Sequence, residues 1–130
     1  MSSSYLSQVV LVGLGGAVGS SLRFMVSGWV HGAIPFSAFP YGTLVVNVLG
    51  CLGIGLLGGL SDLRQMLDPA QRLFLLIGVL GGFTTFSTFA YETFSLAQDA
   101  ETAKALANAL LQMILGFTAA WLGYAVARAM

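Results

Sequence analysis

The residues best equipped for chemistry lie in the run Gly78-Val79-Leu80-Gly81-Gly82-Phe83-Thr84-Thr85-Phe86-Ser87-Thr88-Phe89-Ala90-Tyr91-Glu92. Phe83, Phe86 and Phe89 recur every third residue, as do Thr85, Thr88 and Tyr91, and Glu92 follows four residues after Thr88. Residues three and four apart are neighbours on a helix, so the spacing predicts an aromatic row beside a hydroxyl row. Hydroxyl hydrogens and the electropositive edges of aromatic rings can both replace water around a small anion. A strongly hydrated anion needs such replacements, because bare entry into hydrocarbon is prohibitive. A carboxylate cage for a cation is lacking, since Glu92 is the sole acid well inside this apolar part of the chain. Hydroxyls in membrane helices also bond to their own i−4 carbonyls, and aromatic side chains commonly pack a core, so either row alone is ordinary. Two adjacent rows that run to an acid are harder to explain as packing.

Other polar residues sit in similarly apolar surroundings. Gly81-Gly82 followed by Thr84-Thr85 is a poor helical sequence, through backbone entropy and β-branching, and predicts a break or unwinding there. Carbonyls exposed by a break suit a small hard cation such as Na⁺; the simpler outcome is a kink filled by neighbouring side chains. Asn47 interrupts the run Gly42-Thr43-Leu44-Val45-Val46-Asn47-Val48-Leu49-Gly50, with Thr43 one turn earlier on the same face. Its amide serves either as glue between helices or as a pair of donors to an anion. Arg23 either snorkels to the interface or lends positive potential to a pore mouth. Asn108, Gln112 and Thr118 near the C-terminus are polar enough to line a path but too sparse to assign. His31 falls in a connecting segment with no companion ligand, and the lone Cys51 reads as a small buried hydrophobe.

The elements that must position these residues are membrane spans. Of 130 residues, 57% are hydrophobic and 8% charged, against about 25% charged in soluble domains. A spanning helix needs about 20 mostly apolar residues, and the chain offers four such segments, near 5–30, 41–60, 71–97 and 103–127. Short polar or proline-bearing links between them predict an up-down-up-down bundle of antiparallel neighbours, one transmembrane domain over residues 1–130. The first apolar run is longer than a signal-peptide core and Met1-Ser2-Ser3-Ser4-Tyr5 carries no basic residue, so it reads as a retained span. Glycines pair on one face at Gly15/Gly19, Gly55/Gly59 and Gly78/Gly82, which lets backbones approach closely. Because four helices make a thin bundle, this glycine content also points to association of two chains. Gly13, Gly15, Gly16 and Gly19 imitate a nucleotide loop, but the βαβ context it requires is missing.

Five basic and five acidic side chains balance, so neither nucleic acid nor an acidic partner is implied. Arg64, Arg72 and Arg128 belong to one side of the bundle, Arg23 and Lys104 to the other. Cytoplasmic loops normally hold an excess of Lys and Arg. A chain with so little bias fits insertion in both directions and pairing of opposed copies as an antiparallel dimer.

These motifs together resemble the Fluc (CrcB) family of fluoride channels. The resemblance rests on Gly15-Gly16-Ala17-Val18-Gly19-Ser20-Ser21-Leu22-Arg23, on the 42–50 run containing Asn47, and most specifically on Gly81-Gly82-Phe83-Thr84-Thr85-Phe86-Ser87-Thr88-Phe89. It implies four helices per subunit, with the third broken, assembled as an antiparallel dual-topology homodimer with two pores. It further implies that the ring edges of Phe86 and Phe89 contact fluoride and that Asn47 is the pore asparagine. Ser87, Thr88 and Tyr91 would continue a polar track, joined by Thr43, and Arg23 would match the arginine that ends the first-helix motif. Gly81 and Thr84 would lend backbone carbonyls to a structural Na⁺ at the dimer interface. The activity implied is passive fluoride export across a bacterial-type plasma (inner) membrane, relieving fluoride toxicity.

A small multidrug-type proton-coupled exporter shares the size, helix number and dual topology. Its chemistry needs a membrane-embedded carboxylate to exchange protons, whereas the first span has no acid and Glu92 comes late in the third. A purely structural membrane subunit would account for the glycines but not for the Phe and Thr rows. An enzyme is not indicated, since no nucleophile–base pair or metal-ligand cluster is present.

Overall fold

A computed structural model of the chain describes residues 3–130. Met1 and Ser2, part of the polar N-terminal stretch, lie outside the described residues. The described residues are all-helical: α1 (Ser3–Ala33), α2 (Tyr41–Arg64), α3 (Pro69–Arg72), a π-helical segment (Leu73–Leu80), α4 (Gly81–Phe83), α5 (Phe86–Gln98) and α6 (Thr102–Ala129). Taking α3 through α5 as one 30-residue span, Pro69–Gln98, four helices are long and apolar enough to cross a membrane.

Sequence signals for the ends are local and strong. Asp68 caps α3 by accepting from the Gln71 N–H at 2.8 Å, while the Asp68 N–H donates to Gln71 Oε1 at 3.0 Å. Pro69 occupies the first helical position, where a missing N–H costs nothing. Gln65 closes α2 in the left-handed conformation, φ 51°. The 31-residue α1 continues to Ala33, so His31 belongs to its last turn and not to the connection. There its Nδ1 lies 3.3 Å from the Ser27 carbonyl, four residues back.

The paired glycines are used within the chain. A Cβ on Gly19 would collide with the Val79 carbonyl, and one on Gly15 would come within 2.9 Å of Gly78 Cα. Gly82 faces Gly16 in the same way, its Cβ falling 2.6 Å from the Gly16 carbonyl. The first half of the third span therefore lies backbone against backbone on α1. Gly55 does the same for α2 against the Ala120 backbone of α6, and Gly59 makes room for the Ala127 methyl group. Close approach of this kind substitutes for a hydrophobic driving force that lipid does not provide. The glycine pairs thus explain the bundle's own packing, and the case for a second chain has to rest on other features.

The third span changes neighbours midway. Its π-helical segment and α4 pack on α1, whereas α5 packs on α6. Between the two halves Thr84 (φ −83°, ψ 158°) and Thr85 (φ −151°, ψ 111°) are extended. The extended residues are the threonines; Gly81 remains helical at φ −63°, ψ −38°. β-branched side chains favour this backbone, and Gly50 of α2 makes room for it, since a Cβ there would collide with Thr84 Cγ2. As a result Phe83 ends one helix while Phe86 and Phe89 begin another, and the aromatic row is split.

Gly19→Ala is expected to lower stability by about 1–3 kcal/mol through forced separation of the two backbones. Gly13→Ala, where a Cβ meets nothing within 4 Å, should be neutral or stabilising by about 1 kcal/mol from helix propensity. Thermal unfolding of the two purified variants in one detergent checks the contrast.

Candidate functional site

Asn47 is the residue on which the extended threonines depend. Its Oδ1 accepts from the Thr85 N–H at 2.9 Å and its Nδ2 donates to the Thr85 carbonyl at 3.0 Å. One amide thereby satisfies both backbone groups of a residue that has left the helical ladder, at a depth where unpaired groups are costly. The second Nδ2 hydrogen donates to Gln112 Oε1 at 3.1 Å and ties in α6.

Capping completes the interruption. Thr85 Oγ1 accepts from the Thr88 N–H at 3.2 Å and donates to Thr88 Oγ1 at 2.9 Å, starting α5. In an unbroken helix the Thr85 N–H would close onto the Gly81 carbonyl, and the Thr88 N–H onto that of Thr84. Both donors are diverted, to Asn47 and to the Thr85 hydroxyl. The carbonyls of Gly81 and Thr84 are therefore released from helical pairing, as two hard oxygen donors of the kind that suit Na⁺. Among the described residues no group of three His, Cys, Asp or Glu side chains could hold a metal.

Two cavities meet at Thr85. The first, about 360 Å³, lies between α2, the third span and α6, and its lining includes Asn47, Thr84, Thr85, Phe86, Phe89 and Gln112. Phe86 and Phe89 stand edge to face there, with centroids 5.5 Å apart and planes at 68°. An electropositive ring edge is thus available beside the interruption. Phe86 is 77% exposed on the isolated chain. The second cavity, about 390 Å³, lies between α1, α2 and α5 and includes Arg23, Ser20, Thr43, Thr88 and Glu92. Thr43 Oγ1 donates to Glu92 Oε1 at 2.8 Å, while Glu92 Oε2 is buried without a partner. The ion pairs found among the described residues, Arg72–Asp62 and Lys104–Glu101, leave Arg23 and Glu92 out.

Of the residues singled out from sequence, Asn47, Thr84, Gly81, Phe86 and Phe89 line the first cavity and Arg23, Thr43 and Thr88 the second. Thr43 and Asn47, one turn apart on α2, both reach the third span. Ser87 and Tyr91 are exposed and belong to neither lining. Thr118 bonds back to the Ile114 carbonyl at 2.7 Å and lies away from both cavities. Asn108 is wholly buried, donating to Thr93 Oγ1 at 2.8 Å, and Thr93 in turn donates to the Phe89 carbonyl. This chain of bonds anchors α5 to α6 behind Phe89. Gln112 is the site residue that sequence reasoning left unassigned; an amide one turn from Asn108 in an apolar run was its only signal.

A family model described as CrcB-like protein, Camphor Resistance (CrcB), matches residues 10–124. The chain belongs to the CrcB-like family. Curated relatives carry the name fluoride-specific ion channel FluC. One from a strain of Thermus thermophilus is 49% identical over 119 residues, 92% of each chain. That from Nitratidesulfovibrio vulgaris is 45% identical over 126 residues, covering 95% of this chain and 98% of the relative. That from Geotalea daltonii is 43% identical over 123 residues, with coverage of 95% and 98%. The CrcB-like match encloses every candidate residue of both cavities.

Asn47→Leu removes the partner of both Thr85 backbone groups, and each buried group left unpaired costs about 1–3 kcal/mol. The variant should unfold at lower temperature and exchange its Thr85 amide hydrogen faster than wild type, read by thermal unfolding and hydrogen exchange.

Proposed function

We propose that this CrcB-like chain is a fluoride-selective ion channel, a multi-pass protein of the bacterial plasma membrane that exports fluoride passively and relieves its toxicity. The observation that carries the reading is the edge-to-face pair Phe86/Phe89 beside the Asn47–Thr85 interruption, at a cavity between helices. The relatives named fluoride-specific ion channels support the choice of anion. Fluoride sheds water only where donors replace it, and the second cavity continues the route with the Thr88 hydroxyl and the Arg23 charge at its mouth, beside Thr43, whose hydroxyl hydrogen is held by Glu92.

The working unit is an antiparallel, dual-topology homodimer. Supporting it are the near balance of Arg64, Arg72 and Arg128 against Arg23 and Lys104, and the exposure of polar Ser87 and Tyr91 on α5. In a dimer those two side chains would extend the polar track that each chain's cavities begin. Na⁺ is proposed as a structural ion held by the Gly81 and Thr84 carbonyls, a role supported by the diversion of their helical N–H partners. It would supply fixed positive charge next to an anion path. The broken third span is functional in this reading, since it both frees those carbonyls and opens the path.

A proton-coupled exporter is the less favoured reading, because the relatives are named as channels and Glu92 already accepts from Thr43. Liposomes holding the purified protein and loaded with fluoride should release it rapidly to a fluoride electrode, without a proton gradient, while chloride is retained. Dependence on a pH gradient would favour the exporter, and no release from a folded sample would overturn the channel. Phe86→Ile and Phe89→Ile should each abolish fluoride release while leaving the assembly intact in size-exclusion chromatography. Wild-type flux in the Phe86→Ile protein would remove the rings from the path.

A further inference from the structure

We propose that His31 is a proton-operated charge at the outer end of the second cavity, and that fluoride enters faster when its ring is protonated. The inference rests on the channel reading above and adds a control that the reading does not contain. It starts from a polar stripe on α1. Ser20, Arg23 and Ser27 line the second cavity, and His31 follows one turn after Ser27, in the last turn of the helix. At 1.5 Å per residue, His31 stands about 12 Å beyond Arg23 along the axis. Its Nδ1 stays with the Ser27 carbonyl at 3.3 Å. Gly42 of α2 admits both side chains, since a Cβ there would run into Ser27 Oγ and come within 3.3 Å of His31 Nδ1. The next residue, Thr43, lines the cavity and donates to Glu92, which lies within electrostatic reach of His31.

A carbonyl only accepts, so Nδ1 carries the hydrogen at that contact and Nε2 is the nitrogen that takes up or loses a proton. The residue is exposed, and water reaches the ring. Histidine is the side chain whose charge ordinarily changes between about pH 5 and 8. Three elements bring charged or titratable groups toward it. Arg23 comes from α1, and a guanidinium keeps its charge throughout that range. Tyr41 of α2 borders a small cavity with His31, and phenols ionise only in alkali. Glu92 comes from α5. Helix α6 contributes no described residue to either lining. With His31 neutral, the fixed positive charge of this cavity is Arg23, about two turns further in. Protonation adds a second positive charge where an arriving anion passes first, and an entrance of opposite sign raises both local ion concentration and entry rate.

Initial fluoride efflux is measured from liposomes of uncharged lipid, at low fluoride and low ionic strength, for wild type, His31→Gln and His31→Lys. Both faces are held at the same pH, either about 8 or about 6, which brackets an ordinary imidazole. Leak from protein-free vesicles is subtracted at each pH, because HF crosses lipid unaided. Wild type should run about two- to fourfold faster at the lower pH, the size expected of one added surface charge. His31→Gln should stay at the slow rate and His31→Lys at the fast rate at both pH values. Raising the salt to about 1 M should shrink all of these differences, since the screening length falls to about 3 Å. A wild type without pH response overturns the proposal. So does a response that survives in His31→Gln, which would belong to Glu92, and so does a slow His31→Lys at the higher pH. Absence of fluoride flux from the wild type at either pH would be a failure of the channel reading itself, and this inference would fall with it.

Discussion

Two hydrogen bonds between the Asn47 amide and the Thr85 backbone hold open the interruption on which the rest of the arrangement depends. A membrane helix that leaves its ladder exposes N–H and C=O groups where no water is at hand. An asparagine is suited to this position because its amide presents a donor and an acceptor side by side, matching the two groups of one extended residue. Leucine would fill the space and satisfy neither; aspartate would satisfy one. The remaining Asn47 hydrogen carries the same constraint to Gln112, so a single side chain couples α2, the third span and α6.

The interruption sets the route of the third span, and the route makes the cavities. Before it, glycine contacts press the span against α1; after it, α5 leans on α6, anchored through Asn108 and Thr93. The separation of α5 from α1 leaves the space that Arg23, Thr43, Thr88 and Glu92 border, and the turn toward α6 creates the space beside Phe86 and Phe89. A straight third helix packed on α1 throughout would close the former and carry the phenylalanines elsewhere. Of the four buried polar atoms without a partner among the described residues, Glu92 Oε2 and Gln112 Nε2 belong to the cavity linings, while Ser61 Oγ and Asn108 Oδ1 lie outside both.

Helix packing also limits what the glycine patterns mean. Each of the three pairs is occupied by a neighbour in the same chain, so small residues at helical spacing report close backbone approach without saying which helix approaches. His31 and Phe83 give the opposite lesson. Helix α1 runs past the point where polar composition marks a connection, and a row of phenylalanines at regular spacing is divided because spacing arguments assume one continuous helix. The extended residues are β-branched threonines, which tolerate that backbone, while Gly81 and Gly82 stay helical and Gly82 lies close against Gly16 of α1.

Sequence by itself determined what is local or additive: four apolar spans of sufficient length, short links, and the family through the motif from Gly81 to Phe89. These depend on summed hydropathy or on neighbours a few residues apart. Tertiary structure decided everything that required knowing which helix faces which: that Asn47 serves Thr85, that Thr43 meets Glu92, and that Gln112, not Thr118, reaches the site from α6. The partners lie 38 to 65 residues apart in the Asn47, Thr43 and Gln112 contacts. Helical periodicity gives the face on which a side chain stands, but only the packed bundle brings that face against a particular backbone group.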